Sequence, residues 1–264
     1  MRPLAFVCTV WSLVAASAPS QVANDGCGTA ILIAEGVSVA GSNVGATTGP
    51  GPVACNGTNE VWYAIMLTCG AQYVASTCHA GTAFDTVLSV WNGAGGCAAP
   101  VLVACNDNNC GVAGQTFASR VTFTATAGGL YFVSVAGKLT TTGPFTLRVD
   151  LVPVMTLTFF DFGPGTLGYH VTGPPLGTYF TAATLSAGAF PFGWFYGIDL
   201  PLADIVSEYN AGPPFVGALS ACGQTTVGPF ALPSGLTVYA VALGFAAGAP
   251  FPGFASNPTT ATVP

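Results

Sequence analysis

Apolar and polar residues alternate with a period of two along most of this chain, a pattern typical of half-buried β-strands. In residues 84–111, two such runs, 86–91 and 101–106, flank a glycine-rich loop of small residues. This arrangement predicts an antiparallel strand pair joined by a long turn. The other strands predicted in the first half are 60–67, 72–77, 118–125, 130–135 and 145–151. Their short, regular spacing, with Gly, Pro and Asn in the gaps, indicates a β-sandwich.

The same pattern continues in the second half of the chain. Its predicted strands are 155–162, 168–172, 179–185, 215–220, 225–230, 236–243 and 259–263. Leu202, Ile205 and Val206 are spaced instead for one face of a short helix. We therefore expect an all-β fold of two sandwich domains, residues 21–152 and 153–264, the second with one short helix.

The composition limits the partners this protein can have. The chain is 51% hydrophobic and only 5% charged, yet its apolar content is large enough to form packed cores rather than a disordered chain. Beyond residue 20 the basic residues are Arg120, Lys138 and Arg148, too few to neutralise nucleic-acid phosphates. Everything after Arg148 carries only acidic charge, and this change supports a domain boundary near residue 153.

The first twenty residues have the features of a signal peptide. Arg2 precedes an apolar stretch at 4–16, and the small residues Ala16 and Ala18 form a cleavage site. The stretch is shorter than the ~20 residues that a spanning helix needs. We therefore expect residues 1–20 to be removed, no transmembrane segment after cleavage, and a secreted or cell-surface protein.

Eight cysteines follow this segment, and an even number indicates a disulfide framework formed in an oxidising compartment. They are Cys27, Cys55, Cys69, Cys78, Cys97, Cys105, Cys110 and Cys222. No CxxC pair occurs, which disfavours a zinc site.

Strand directions suggest how these cysteines pair. If 61–67 and 72–77 form a hairpin, Cys69 lies at the sheet end that also holds Cys97, so these two should pair. Cys27 with Cys55 would join the first segment to the next. Cys78, Cys105 and Cys110 fall at the opposite end, where two of the three should pair. Cys222 must pair across the domain boundary, pair between chains, or stay free.

The polar end of the strand pair 86–91 and 101–106 predicts a candidate calcium site. The second strand returns to where the first begins, so oxygen ligands should converge there: Asp85, Asn106, Asp107 and Asn108. Calcium takes six to eight oxygens, and nearby loop carbonyls would complete its shell. The alternative is that these Asp and Asn side chains only bond to the backbone of their own turns.

An ordered set of short segments resembles the bacterial pre-peptidase C-terminal domain of large secreted proteins. The set spans Val22 to Leu151 and comprises Asn24-Asp25-x-Cys27, Glu60-Val61-Trp62-Tyr63, Ser76-Thr77-Cys78, Phe84-Asp85-Thr86-Val87-Leu88-Ser89-Val90, Ala104-Cys105-Asn106-Asp107, Cys110-Gly111, Thr126-Ala127-Gly128 and Gly143-Pro144-Phe145-Thr146-Leu147. The resemblance implies a jelly-roll-like, non-catalytic sandwich, and some relatives bind calcium or matrix material. Asn108 replaces a common second aspartate, which lowers the carboxylate count.

Catalysis is not expected, because neither a GxSxG nor an HExxH motif occurs. Asp199 with Asp204 or Glu208 forms the one acidic cluster near aromatic residues, and we interpret it as charges at a helix N-terminus.

Binding is the better alternative. Trp194, Phe195 and Tyr196 lie in a Gly/Pro-bearing aromatic segment that either binds a ligand by stacking or fills the second core. We expect a non-catalytic surface- or matrix-associated protein that binds extracellular polysaccharide or protein. The alternative is a carbohydrate-binding module that serves a separate enzyme.

Overall fold

The computed structural model describes residues 22–49, 54–110, 116–152 and 154–264. Within these ranges the chain is all-β, as predicted, with one α-helix. The predicted signal peptide, residues 1–20, lies outside the described residues. No helix in the described ranges is both long enough and apolar enough to cross a membrane.

The described part of the first half forms nine strands in two sheets. They are β1 (Ile31–Leu32), β2 (Val39–Ser42), β3 (Gly57–Leu67), β4 (Gln72–Ser76), β5 (Thr86–Asn92), β6 (Val101–Asp107), β7 (Arg120–Thr124), β8 (Gly129–Lys138) and β9 (Pro144–Val152). One sheet has the order β2-β9-β4-β7, and the other has β3-β8-β5-β6 with the short β1 added parallel to β3. This is the strand order of a jelly roll, the fold implied by the resemblance.

The core of the jelly roll lies between its two sheets. Tyr63 of β3 meets Phe145 of β9 edge to face, with ring centroids 6.2 Å apart. The opposite face of β3 is also covered, because Trp62 packs with Trp91 and Phe132 beneath the N-terminal segment. Burial on both faces explains why β3 is almost continuously apolar rather than alternating.

The predicted strand pair is present, but the predicted hairpin is not. β5 and β6 are antiparallel neighbours, with Leu88 opposite Asn106. β3 and β4, however, lie in opposite sheets, so the chain around Cys69 crosses between layers instead of turning within one. The Cys69–Cys97 pairing was derived from that hairpin and is wrong.

Four disulfides link all eight cysteines. The pairs are Cys27–Cys97, Cys55–Cys105, Cys69–Cys222 and Cys78–Cys110. The predicted Cys27–Cys55 bond is wrong. Both cysteines lie against the outer face of the β3 sheet. There Cys27 bonds to the 3₁₀ turn Gly96–Ala98, and Cys55 bonds to β6. One pair does form within the predicted group at the polar end, Cys78 with Cys110.

The second half forms two further sheets. Its strands are β10 (Thr156–Gly163), β11 (Thr166–Thr172), β12 (Thr178–Thr184), β13 (Val216–Ala218), β14 (Gln224–Ala231), β15 (Thr237–Phe245), β16 (Phe254–Ala255) and β17 (Thr259–Thr262). One sheet has the order β10-β11-β14, and the other has β13-β12-β15-β16 with β17 also paired to β15. Among the described residues, no strand of this half pairs with a strand of the jelly roll.

The sheet containing β12 and β15 is covered on both faces. Its inner face packs against β10 and β11 through residues such as Tyr169, Val171 and Ala240. Its outer face packs against Ile198, Leu200 and the helix. This helix, α1 (Leu202–Ala211), is the one predicted from sequence, and it ends at Gly212 with a positive φ of 71°.

The disulfide Cys69–Cys222 joins the two halves across 153 residues of sequence. Cys222 therefore takes the first of its three predicted alternatives, pairing across the boundary. Gly70 lies directly against this link, and a Cβ added there would collide with the carbonyl oxygen of Cys222. The close approach and the positive φ of 75° both require glycine at this position.

Candidate functional site

Among the described residues, the loop that precedes α1 carries an exposed aromatic surface. Side chains at alternate positions point outward, with Phe192 87% exposed, Trp194 61% and Tyr196 49%. Large rings are normally buried, so three exposed rings within five residues form an unusual surface. We call residues 190–199 the aromatic loop.

The aromatic loop is held by its own backbone and by one carboxylate. Phe195 donates a hydrogen bond from its N–H to the Ile198 carbonyl at 3.0 Å, which closes a tight bridge. Asp199 accepts hydrogen bonds from the N–H groups of Ala189 at 2.6 Å and Trp194 at 3.2 Å. Two charge-assisted bonds from one side chain fix the position from which Trp194 projects.

The structure separates the three predicted binding residues. Trp194 and Tyr196 are exposed, whereas Phe195 turns inward and packs against the cluster formed by Phe180, Ile198 and Leu243. Phe192 is the most exposed ring of the loop; the sequence placed it in the aromatic segment but not among the three predicted binding residues. Its alternation with Trp194 and Tyr196 was the available signal, since Phe195 falls out of that phase.

At the polar end of β5 and β6, the two carboxylates of the predicted calcium site are neighbours. Asp107 of β6 lies opposite Val87 of β5. Asp85 lies two residues before Val87, so the two carboxylates are on the same face of the sheet. Lys138 forms an ion pair with Asp107 on this face. Burial, together with the charge of Asp107, raises the pKa of the Asp85 carboxyl, and Lys138 partly offsets the rise.

The two asparagines contribute differently. Asn106 pairs with Leu88, so it faces the jelly-roll core, on the side of the sheet opposite Asp107. Asn108 follows the strand with a positive φ of 85°, and its N–H donates to the Ser119 hydroxyl at 3.0 Å. The register therefore brings Asp85 and Asp107 together but leaves Asn106 outside their group.

The oxygen chemistry of this end nevertheless suits a hard cation. The Oδ1 atom of each predicted ligand is buried without a hydrogen-bond partner: Asp85, Asn106, Asp107 and Asn108. A calcium ion held by the two carboxylates would compete with the Lys138 ammonium for Asp107. Among the described residues, no cluster of three or more His, Cys, Asp or Glu side chains is arranged as a metal site. Calcium binding here stays a prediction.

A second buried carboxylate was not recognised from the sequence. Glu60 of β3 is 6% exposed, and its Oε2 has no hydrogen-bond partner. Burial is the main cause of its raised pKa, and the charge of Asp25 adds to it. Both acids line a cavity of about 340 Å³ beside the Cys27–Cys97 disulfide.

The acids around α1 do not form the single helix N-terminal charge set that the sequence suggested. Asp204 lies in the first turn, but Asp199 bonds to the aromatic loop. Glu208 lies in the second half of the helix and accepts a hydrogen bond from the Ala183 N–H at 3.2 Å. The three carboxylates thus have three separate structural roles.

No protein-family model and no curated protein matches this chain. Among solved structures, it is similar to the glycoside hydrolase domain of Endo-D from Streptococcus pneumoniae R6, at 11% identity and a TM-score of 0.22. That match covers 86% of this chain and 33% of the other, so the chain spans about a third of that protein's length. At this TM-score the resemblance supports neither a shared fold nor a shared activity.

Proposed function

We propose that this is a secreted, non-catalytic protein, associated with a cell surface or matrix, that binds extracellular polysaccharide through the aromatic loop. The observation that carries the proposal is the outward alternation of Phe192, Trp194 and Tyr196 on a loop braced by Asp199. Ring faces presented in this way suit the apolar faces of sugar rings.

Preorganisation of the loop favours binding. Because Asp199 and the bridge from Phe195 to Ile198 already fix the backbone, a ligand need not order the loop when it binds. The nearby cores hold Phe190 and Phe195 from beneath, so the exposed rings stand on a packed base. A weakly charged sugar polymer also needs no ion pairs, and the loop supplies none.

The crosslinks support an extracellular compartment. Four disulfides suit an oxidising environment outside the cytoplasm, where polysaccharides of envelopes and matrices occur. The jelly roll would then serve as a rigid, crosslinked support for the second half.

Affinity electrophoresis in gels containing hexose or N-acetylhexosamine polymers tests the proposal. We expect at least one polymer to retard the protein, and Trp194→Ala or Tyr196→Ala to weaken binding by roughly tenfold or more. Phe251→Ala is the matched control, since this ring is 78% exposed but lies outside the aromatic loop. Retardation that survives both loop substitutions, or its absence with every polymer, would contradict the proposal.

Asp199→Ala provides an independent test of the loop geometry. Removing the carboxylate deletes two backbone hydrogen bonds without touching a ring, so polysaccharide affinity should fall while Trp194 and Tyr196 remain. Asp199→Asn, whose amide oxygen can still accept, should retain more of the affinity. Equal affinity for Asp199→Ala and the unmodified protein would show that the loop does not need this brace.

A further inference from the structure

A cavity of the second half opens where α1 passes the part of β12 that extends beyond its pairing with β13. It has a volume of about 880 Å³, large enough for a small organic molecule. Its walls are mainly apolar and include the rings of Phe159, Tyr169, Phe215 and Phe230. It lies apart from the aromatic loop, because none of the exposed rings Phe192, Trp194 and Tyr196 lines it.

Polar groups converge inside this apolar cavity. Thr181 lines it with a side chain that is only 2% exposed and a hydroxyl that makes no well-formed hydrogen bond, although it interacts with the Tyr169 phenol. A buried hydroxyl without a well-formed hydrogen bond costs free energy, and a ligand would satisfy it. Asp204 and Glu208, one helical turn apart on α1, place two carboxylates on the same wall.

These carboxylates have no basic partner. The chain has no Lys or Arg after Arg148. The two ion pairs of the described residues, Lys138–Asp107 and Arg148–Asp150, both lie in the jelly roll. His170 bonds to Thr226 and does not line the cavity. The cavity therefore combines negative charge with aromatic walls and lacks an internal cation.

We propose that this cavity binds an organic cation, an amine with an apolar body, whose ammonium lies between Asp204 and Glu208 and reaches the Thr181 hydroxyl. The apolar body then fills the space between Phe159, Phe215 and Phe230. Ring faces attract cations as well as apolar groups, so walls and carboxylates select the same ligand. A metal ion would leave most of the apolar volume empty, and an anion would be repelled.

Binding of a cation should also change the protonation state of Glu208, and this change can be measured. Burial raises the pKa of its carboxyl to about 7, and Asp204 contributes to the rise, while the Ala183 N–H opposes it. The Tyr169 phenol also faces it, and burial is the main cause of the raised pKa of that phenol. An ammonium stabilises the carboxylate form, so binding at pH 7 should release about half a proton.

Calorimetry on the full chain with octylamine and 1-octanol as probes tests the proposal. We expect octylamine to bind at least tenfold more tightly than 1-octanol at pH 8, and its advantage to shrink below pH 6 as Glu208 is protonated. Repeating the titration at pH 7 in buffers of different ionisation enthalpy measures the proton release. Equal affinity for both probes, no octylamine binding, or no proton release would overturn the proposal.

Substitutions at Glu208 and Thr181 test whether these residues cause the preference for octylamine. Glu208→Gln keeps the shape and an acceptor for the Ala183 N–H, and should reduce octylamine affinity roughly tenfold without changing that of 1-octanol. Thr181→Val should weaken octylamine severalfold while preserving the melting temperature. Asp161→Asn removes one exposed charge near the end of β10, away from the cavity, and is the matched control. If Glu208→Gln and Asp161→Asn have the same effect, the proposed site is wrong.

Discussion

Glu60 is the residue at which burial and charge conflict most directly. It is almost fully buried in β3, and burial raises the pKa of its carboxyl above the ordinary value. The folded protein therefore binds this proton more tightly than the unfolded chain does. Ionised Glu60 lowers stability at neutral pH, and protonation returns that stability as the pH falls through the folded-state pKa.

Replacing Glu60 with Gln should thus raise the melting temperature at pH 7 and flatten the pH dependence of stability in the acidic range. The amide keeps an oxygen that can accept the backbone hydrogen bonds of Glu60 and Gly49. Thermal melts of both proteins between pH 4 and pH 8 test this. The two curves should converge at the acidic end, and a Gln variant that is less stable at pH 7 would show that the carboxylate is needed.

Lys138 decides whether the polar end of β5 and β6 needs a metal. Because its ammonium neutralises Asp107 beside Asp85, Lys138→Met should leave two adjacent carboxylates uncompensated and cost about 1–3 kcal/mol. Millimolar calcium should restore part of this loss and should shift the unmodified protein less. Arg148→Met is the control, because its pair with Asp150 is more exposed and should cost under about 1 kcal/mol. A larger calcium shift in the unmodified protein than in Lys138→Met would show that Lys138 does not compete with the ion for Asp107.

The residue scale is also where sequence reasoning reached its limit. Trp194 and Phe195 are adjacent aromatic residues, and nothing in their identities says which is exposed. Their exposures differ because the turn closed by Asp199 and Ile198 directs one outward and the other onto Phe180 and Leu243. Such a difference depends on tertiary contacts, and the sequence signals it only through the alternation of Phe192 with Trp194 and Tyr196.

At the scale of elements, the strands were predictable because alternation and turn residues are local. Residues 86–91 and 101–106 form the antiparallel pair β5 and β6, and the helix α1 lies where its apolar spacing indicated. Which strands belong to the same sheet depends on contacts between distant parts of the sequence, which local patterns do not show. β3 and β4 are consecutive in sequence but belong to different sheets, and the Cys69–Cys97 disulfide inferred from their supposed hairpin was therefore wrong.

The two faces of the β3 sheet predict a sharp difference between substitutions. Leu88 of β5 is fully buried in the jelly-roll core, whereas Met66 of β3 is 63% exposed. Leu88→Ala should lower the free energy of unfolding by about 2–5 kcal/mol, and Met66→Ala by no more than about 0.5 kcal/mol. Chemical denaturation of both variants measures this. Similar losses for the two would contradict the placement of the core.

At the scale of the whole molecule, the disulfide between the halves makes a simple prediction. Trypsin acting on denatured, unreduced protein cuts after Arg120, Lys138 and Arg148. The piece that begins at Val149 contains only Cys222, so it should remain attached to the piece ending at Arg120 through Cys69 and separate on reduction. Mass spectrometry before and after reduction distinguishes the outcomes. Release of the second-half piece without reduction would contradict the pairing. The Cys69→Ser/Cys222→Ser double variant, which lacks this disulfide, shows the peptide pattern expected in that case.

The crosslink between Cys69 and Cys222 also determines how the protein responds to pulling. The aromatic loop lies within the covalent ring that this bond closes, so tension on a polymer bound at Trp194 would reach the jelly roll along two covalent paths rather than one. Each path would carry part of the load, and a cut in either would leave the other intact. A single sulfur bridge would thus give the proposed polysaccharide attachment mechanical redundancy.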